Sequence, residues 1–524
     1  MCRMDSWIGW SVIASSGAGV KASTLAGAGT ERGVEMERSI YNIEAKGYEG
    51  EHVFYNTLKR GLVVLNDEAY ADYLAGEGPH VHELAAAGLL VESAQYEKDI
   101  QEQQFDLDRK TNDWFALCIC PTYDCNYQCP YCYEHGYNPS GTITREVIEA
   151  TYDFFEKIYE RDGFVKFSLG WYGGEPTLHM DVIEEMTEHF RSRCDELGVD
   201  MAIGILSNCG VIDEELAGRL AACGVEHMMP TIDGLSKLHN CRRVSKSAGD
   251  AFEKTIEGAH NCRAAGITVR ANMNADKINM REFKELRKWL HEEHDIDLYP
   301  SLLKDYRQDF NHNDTGFCEP AFDLYTREDY AHDLHDLFAE TPYTPEVFEG
   351  LFRPVRDFCR GQLENYYVID PFGDVYKCEG WLGHKEYCFF NVLDLPDVKT
   401  LYLTDYNPLR DPYCEDCAVM PLCKGQCAWD RALLEQVCHV AKFTIADYVA
   451  DYRSCFGDAP DPVTVLVEPT TPESYLETPF ECDGPNESRW AGIPWYPVDE
   501  DGNATYSKGK PYRDEERKAH KAHA

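Results

Sequence analysis

The chain has 524 residues, with 50 basic side chains against 92 acidic ones and a formal net charge of -42. So acidic a surface repels a phosphate backbone or an anionic lipid face, so neither nucleic acid nor membrane is expected as a partner. At 44% hydrophobic and 12% aromatic it can bury large cores, and at roughly 150 residues per domain its length suggests three or four units.

In chain order, residues 1–35 are rich in Gly, Ala and Ser without helical or strand period, and read as a flexible extension or misplaced start ahead of Met36. The stretch 7–20 is broken by Ser and Gly and preceded by Asp5. It therefore reads as neither anchor nor secretion signal, and no run approaches the ~20 apolar residues that cross a bilayer. Residues 38–110 predict a small separate α+β domain, with strands around Ile43 and at 52–55, helices at 67–74 and 80–87, and a short strand at 89–91. The charged stretch 97–110 is expected to link it onward.

From 114 to 303 short apolar runs alternate with amphipathic helices. The runs 115–120, 164–169, 201–206, 227–232, 268–273 and 296–302 suit buried parallel strands. Val147, Thr151, Phe154, Phe155 and Ile158 share one helix face, as do Ile183, Met186, Phe190 and Cys194. Six βα units predict an α/β fold with a partial TIM-like (β/α)6 barrel. Residues 304–358 read as a helical connection, 359–455 as a cysteine-rich unit ending in a helix, and 456–524 as an acidic, proline-rich tail.

Twenty-two cysteines would imply a disulfide framework in an exported protein. Here ten of them fall into two clusters of metal-ligand spacing, which points to a reducing cytoplasm. The first cluster is Cys125, Cys129 and Cys132, directly after the first strand. Three thiolates within eight residues wrap three corners of an iron-sulfur cube, whereas a structural zinc asks for a fourth ligand. His135 is near, but the loop would have to turn back to bring it round.

Cys125-x3-Cys129-x2-Cys132, with an aromatic residue before the third cysteine, resembles the radical S-adenosylmethionine (radical SAM) superfamily. The resemblance implies a 4Fe-4S cluster whose free iron chelates the amino and carboxylate groups of SAM and whose electron splits the sulfonium to a 5'-deoxyadenosyl radical. Gly173-Gly174-Glu175-Pro176 after the second strand is similar to the family's GGE motif, in which close backbone approach and a carboxylate serve the methionyl amine. Ser207-Asn208-Cys209-Gly210 stands where relatives often have Thr-Asn-Gly, which implies ribose contacts from Ser207 or Asn208, with Cys209 as a departure. After Thr231-Ile232-Asp233-Gly234, Arg243 falls at the motif arginine expected to pair with the SAM carboxylate. All four sites follow the C-terminal ends of successive strands, where a parallel barrel builds its active site.

The second cluster, Cys359, Cys378, Cys414, Cys417, Cys423, Cys427 and Cys438, resembles the SPASM auxiliary-cluster domain. Carried over by position, Cys414, Cys417, Cys423 and Cys438 would complete one 4Fe-4S cluster, and Cys359, Cys378 and Cys427 would hold another. That second site is short of one thiol unless Cys388 or Cys318 folds in. Cys455 competes with Cys438 for the last place, and the helix-like run 442–452 after Cys438 favours the latter.

The resemblance thus implies three 4Fe-4S clusters, SAM, an electron donor such as flavodoxin or ferredoxin, and a peptide or protein substrate. The expected activity is that of a peptide-modifying maturase and oxidoreductase, forming a thioether or another cross-link in a ribosomally made peptide. Residues 38–110 are distantly similar in architecture to leader-peptide-binding domains. Two alternatives remain open: sulfatase-maturase-like oxidation of a protein Cys or Ser, with Glu379 as the carboxylate base beside Cys378, and a non-catalytic zinc- or cluster-stabilised peptide-binding or electron-transfer protein.

Overall fold

The computed structural model describes residues 36–110, 113–134, 140–247, 249–304, 322–339, 360–398, 408–425, 427 and 438–470. The expected extension at 1–35 lies outside the described residues, as do Cys318, His135 and Cys359.

The N-terminal part contains β1 (Glu37–Arg38), β2 (Asn42–Lys46), β3 (His52–Asn56), β4 (Leu62–Leu65), α1 (Asp67–Ala75), α2 (Val81–Ala86), β5 (Leu90–Val91) and α3 (Ala94–Arg109). Strands β2, β3 and β4 form an antiparallel meander. Helix α1 starts where the Asn66 side chain accepts from the Ala69 amide and stops at Gly76, whose φ of 69° is the left-handed conformation a C-terminal glycine supplies.

Six parallel strands follow: β6 (Trp114–Ile119), β7 (Lys166–Trp171), β8 (Asp200–Leu206), β9 (His227–Met229), β10 (Thr268–Ala275) and β11 (Asp297–Leu302). Their spatial order is their sequence order, the arrangement of a partial parallel barrel. Each connection carries at least one helix: α4 (Arg145–Asp162), α5 (Met180–Leu197), α6 (Glu214–Ala222), α7 (Ser236–Arg242) with α8 (Ala251–Ala264), and α9 (Phe283–His294). The two apolar faces read from periodicity are the buried faces of α4 and α5. They pack with the β6–β8 side chains into one core. Helix α10 (Arg327–Ala339) lies beyond the barrel.

The C-terminal part holds β12 (Tyr366–Ile369), β13 (Asp374–Tyr376), β14 (Phe390–Asn391), α11 (Met420–Cys423), α12 (Ala441–Ser454) and β15 (Val463–Val467). Strand β12 pairs parallel to β6, and β13 and β14 continue antiparallel, so nine strands make a single sheet. The beginning of the cysteine-rich unit is therefore an extension of the barrel sheet at its β6 edge.

Two expectations are corrected. The stretch 97–110 is no linker: it is most of α3, with Ile100 and Phe105 buried alongside polar side chains that find distant partners. Lys59 pairs with Glu97 at 2.8 Å, and Lys424 donates to Gln101 at 2.6 Å. Nor is the chain from 456 simply a tail, because β15 adds antiparallel to β4 as the fourth strand of the N-terminal sheet. Its Val-Thr-Val-Leu-Val sequence has high β propensity inside an otherwise acidic, proline-rich region, and β4 offers it an open edge. Among the described residues no helix is long and apolar enough to cross a membrane.

Candidate functional site

The C-terminal ends of the barrel strands open into a cavity of about 290 Å³. Cys125, Cys129 and Cys132 all line it, on the loop that leaves β6. Several backbone bonds hold this loop. Gln128 N donates to Val244 O at 2.7 Å and Lys246 N to Asn126 O at 2.8 Å, which ties the loop to the segment after α7. On the other side Gly174 N donates to Thr122 O at 3.1 Å and Glu175 N to Asp124 O at 2.9 Å. Both glycines are required by this approach. Gly173 has φ 117°, and a Cβ on Gly174 would sit 2.5 Å from Tyr123 O.

Burial, with the Glu175 charge second, pushes the Cys125 thiol up to about 12. Cys129 is raised by burial against the opposing Arg243 charge, and Cys132 by burial and then Glu134. Such thiols ionise when a strongly positive group binds them. Among the described residues no three His, Cys, Asp or Glu side chains converge on one metal ion. A cube spreads its thiolates over separate irons, which three thiols lining one cavity fit.

The remaining motif residues divide between the cavity and its wall. Arg243 lines the cavity, is 7% exposed and donates from Nη1 to Tyr131 Oη at 2.8 Å, while its buried Nε has no partner. That orphaned donor beside the thiols suits an anionic ligand. Ser207 and Asn208 also line the cavity. The Ser207 hydroxyl, however, donates to Glu175 Oε1 at 2.7 Å, and Asn208 Nδ2 donates to Asn126 Oδ1 at 2.7 Å. Cys209 next to them has φ 58°, a left-handed conformation that explains why glycine is the commoner residue in the pattern. Its amide donates to Ser207 Oγ and the Gly210 amide to Asn208 Oδ1, at 2.9 and 2.8 Å, which hold the turn.

Glu175 does not face the cavity. It is fully buried and accepts from Thr177 N at 3.2 Å, Thr177 Oγ1 at 2.5 Å, Ser207 Oγ at 2.7 Å and Asn208 N at 2.7 Å. Burial raises its pKa and these bonds oppose the rise. The carboxylate is thus a clamp between the loops after β7 and β8. Glu175→Gln replaces one acceptor oxygen by a donor facing a donor, and is expected to cost about 1–3 kcal/mol of stability. Denaturant titration checks this; unchanged stability would return Glu175 to a ligand-facing role.

Glu379 also lies away from the cavity. Its carboxylate accepts from Tyr366 Oη and from the Cys118 thiol, and burial raises its pKa. The structure does not bring it to the three thiols.

Of the second set, Cys378, Cys414 and Cys427 are buried in one apolar cluster with Tyr123 and Tyr172, and Cys388 and Cys417 lie at its margin. Cys423 packs at the margin of a neighbouring cluster, where Cys417 is also found. Cys388 Sγ donates to Phe390 O at 3.2 Å. Cys438 Sγ lies 3.3 Å from Tyr413 Oη. Cys455 Sγ instead donates to Asp451 O at 3.7 Å, at the far end of α12. A 14-residue helix separates the two candidates by about 21 Å.

Motif comparison missed Tyr131, whose hydroxyl meets Arg243, and Asp233, whose carboxylate meets Tyr131. Each carries a signal in the sequence, Tyr131 as the aromatic residue before the third cysteine and Asp233 as part of Thr231-Ile232-Asp233-Gly234.

Residues 119–290 match the family model described as the radical SAM superfamily. The barrel segment thus carries a radical SAM domain. Among curated relatives, Fe-coproporphyrin III synthase of Methanosarcina barkeri is 28% identical over 190 residues, covering 36% of this chain and 43% of that protein. This chain therefore aligns with less than half the length of that relative. A probable GTP 3',8-cyclase of Saccharolobus islandicus is 24% identical over 328 residues, covering 59% of this chain and 92% of the relative. Among solved structures, anSMEcpe with bound AdoMet superposes with a TM-score of 0.51 at 20% identity, covering 64% of this chain and 95% of that one. This last likeness concerns the fold. A radical SAM domain implies one 4Fe-4S cluster and SAM, and the open cysteine triplet, the glycine-lined approach and the orphaned Arg243 donor fit that pair.

Proposed function

We propose that this radical SAM protein is a SPASM-type maturase that modifies a peptide substrate through hydrogen abstraction, forming a thioether or another cross-link. The observation that carries the reading is the apolar cluster shared by Tyr123 and Tyr172, which line the cavity, and by Cys378, Cys414 and Cys427. The thiols proposed as auxiliary ligands thus share an apolar cluster with two residues that line the cavity of the open triplet.

Cys125, Cys129 and Cys132 would hold the SAM-binding cluster. When bound, cluster and SAM together supply a hydrogen-abstracting radical. Gly173 and Gly174 admit the ligand to the backbone, Arg243 pairs with its carboxylate, and Asn208 stands beside Cys125, with Nδ2 3.7 Å from its Sγ. Glu175 acts through Ser207 and Asn208. Cys414, Cys417, Cys423 and Cys438 would hold one auxiliary cluster, and the place of Cys438 beside Tyr413, with Cys455 bonded to Asp451 O at the far end of α12, supports Cys438 over Cys455. Cys359, Cys378 and Cys427 would hold the other. The Cys388 thiol is bonded to the Phe390 carbonyl at the start of β14, which supports a cluster with an iron lacking a cysteine ligand there.

The peptide assignment rests on this C-terminal cysteine pattern and on the N-terminal sheet, proposed as the leader-binding part. A carboxylate base at Glu379 for Cys or Ser oxidation draws no support from its contacts with Tyr366 and Cys118. Electrons would come from a flavodoxin or ferredoxin, in a reducing cytoplasm.

Anaerobically prepared protein is expected to hold about twelve irons and twelve sulfides per chain, as three 4Fe-4S clusters require. Iron, sulfide and zinc determination checks this, and stoichiometric zinc with little sulfide would favour the scaffold reading. Deuterium transfer into 5'-deoxyadenosine from a labelled Cys-containing peptide, and none from a labelled nucleotide or porphyrin, would support the peptide class.

A further inference from the structure

Tyr131 sits between two of the three loop cysteines, in Cys129-Pro130-Tyr131-Cys132. Its hydroxyl uses every bond a phenol can make: it donates to Asp233 Oδ2 and accepts from Arg243 Nη1 at 2.8 Å and Asn274 Nδ2 at 3.2 Å. Asp233 is itself fixed, since its Oδ1 accepts from Asn274 N at 2.8 Å. The Arg243 guanidinium also lies over the Tyr127 ring, 5.8 Å from its centroid, and Tyr127 belongs to the same loop. Tyr131 and Tyr127, two aromatic neighbours of this arginine, are thus carried by the segment that bears the thiols, while a balancing charge, Asp233, follows the fourth barrel strand.

We propose that Tyr131 is a positioning residue: its phenol, anchored by Asp233 and Asn274, holds Arg243 in the orientation that receives the carboxylate of SAM and couples that orientation to the geometry of the cluster loop. The inference rests on the role given to Arg243 above. An arginine on a flexible stem loses rotamer freedom when it binds a carboxylate, and a fork already held by a buried acceptor loses less. Arg243 adjoins the C-terminal end of the short helix α7, so its backbone alone does not fix its tip. The unpartnered Nε remains available for the ligand while Nη1 is held.

The test measures equilibrium binding of two ligands to anaerobically loaded enzyme with its cluster oxidised, so that no cleavage occurs. SAM carries the carboxylate, and 5'-methylthioadenosine keeps the adenosine and lacks the amino acid portion. Tyr131→Phe is expected to weaken SAM by about tenfold, to leave methylthioadenosine unchanged and to retain wild-type iron. Equal weakening of both ligands, or no weakening of either, overturns the proposal. Arg243→Lys separates this from the underlying assignment: selective SAM loss in Arg243→Lys without it in Tyr131→Phe removes the positioning role alone, and selective loss in neither removes both. Should Tyr131→Phe lose its iron, Asp233→Asn, outside the cysteine loop, is expected to show the same selective loss of SAM; equal losses there also overturn the proposal.

Discussion

Cys129→Ala is expected to reduce 5'-deoxyadenosine formation to background while the absorption of the proposed auxiliary clusters persists. Cys129 lines the cavity between Cys125 and Cys132, and the Cys132 amide donates to its carbonyl at 3.1 Å, so the residue belongs to the turn that presents the triplet. Alanine keeps that backbone bond and removes only the sulfur. Two thiolates are then left for a cube that already has one open corner, too few to hold it against loss of iron. Cys378, Cys414 and Cys427 are buried in an apolar cluster that does not include Cys129, and lose nothing. Product chromatography after dithionite reduction, with the visible spectrum recorded on the same sample, reads both halves. Undiminished 5'-deoxyadenosine would remove the proposed cluster site.

Arg242→Met is expected to lower the stability of the fold by about 3–5 kcal/mol, because it leaves a carboxylate buried without its cation. The Arg242 guanidinium bonds both oxygens of Asp276 at 2.7 Å, with both side chains fully buried. Asp276 in turn accepts from the amides of Ile278, Asn279 and Asp323, each at 3.0 Å. The pair therefore ties α7, the segment after β10 and the chain beyond β11 together. Urea denaturation of wild type and variant, compared at their midpoints, measures the cost. A loss under about 1 kcal/mol, the range of exposed pairs, would show that the ion pair does not hold the barrel rim.

These adjacent arginines show where sequence reading reaches its limit. The motif pattern placed Arg243 at the ligand, and the structure directs it into the cavity while Arg242 turns to Asp276. Both are long cations one residue apart, and only the helix end at Arg242 and the position of β10 decide which one meets the carboxylate inside the core. The GGE glutamate makes the same point differently. Gly173 and Gly174 act as their lack of side chains requires, but the direction of Glu175 is set by donors on the next barrel loop, 32 and 33 residues on.

By itself, the sequence determined what depends on short-range chemistry. Apolar runs of strand length predicted all six barrel strands, steps of three and four predicted the buried faces of α4 and α5, and the thiol spacing picked out the loop that the structure places in the cavity. Only the tertiary structure decided what depends on partners far along the chain. Helix α3 looks like a solvated linker because its charges are visible and their partners are not: Lys59 lies 38 residues before Glu97, and Lys424 lies 323 residues after Gln101. Strand β15 was hidden in an acidic, proline-rich stretch, and the cysteine-rich unit began as an extension of the barrel sheet. A polar side chain is stable in a core only when its partner is there, and a strand is stable only on an edge that accepts it; both conditions are set by the assembled fold, outside any local window of sequence.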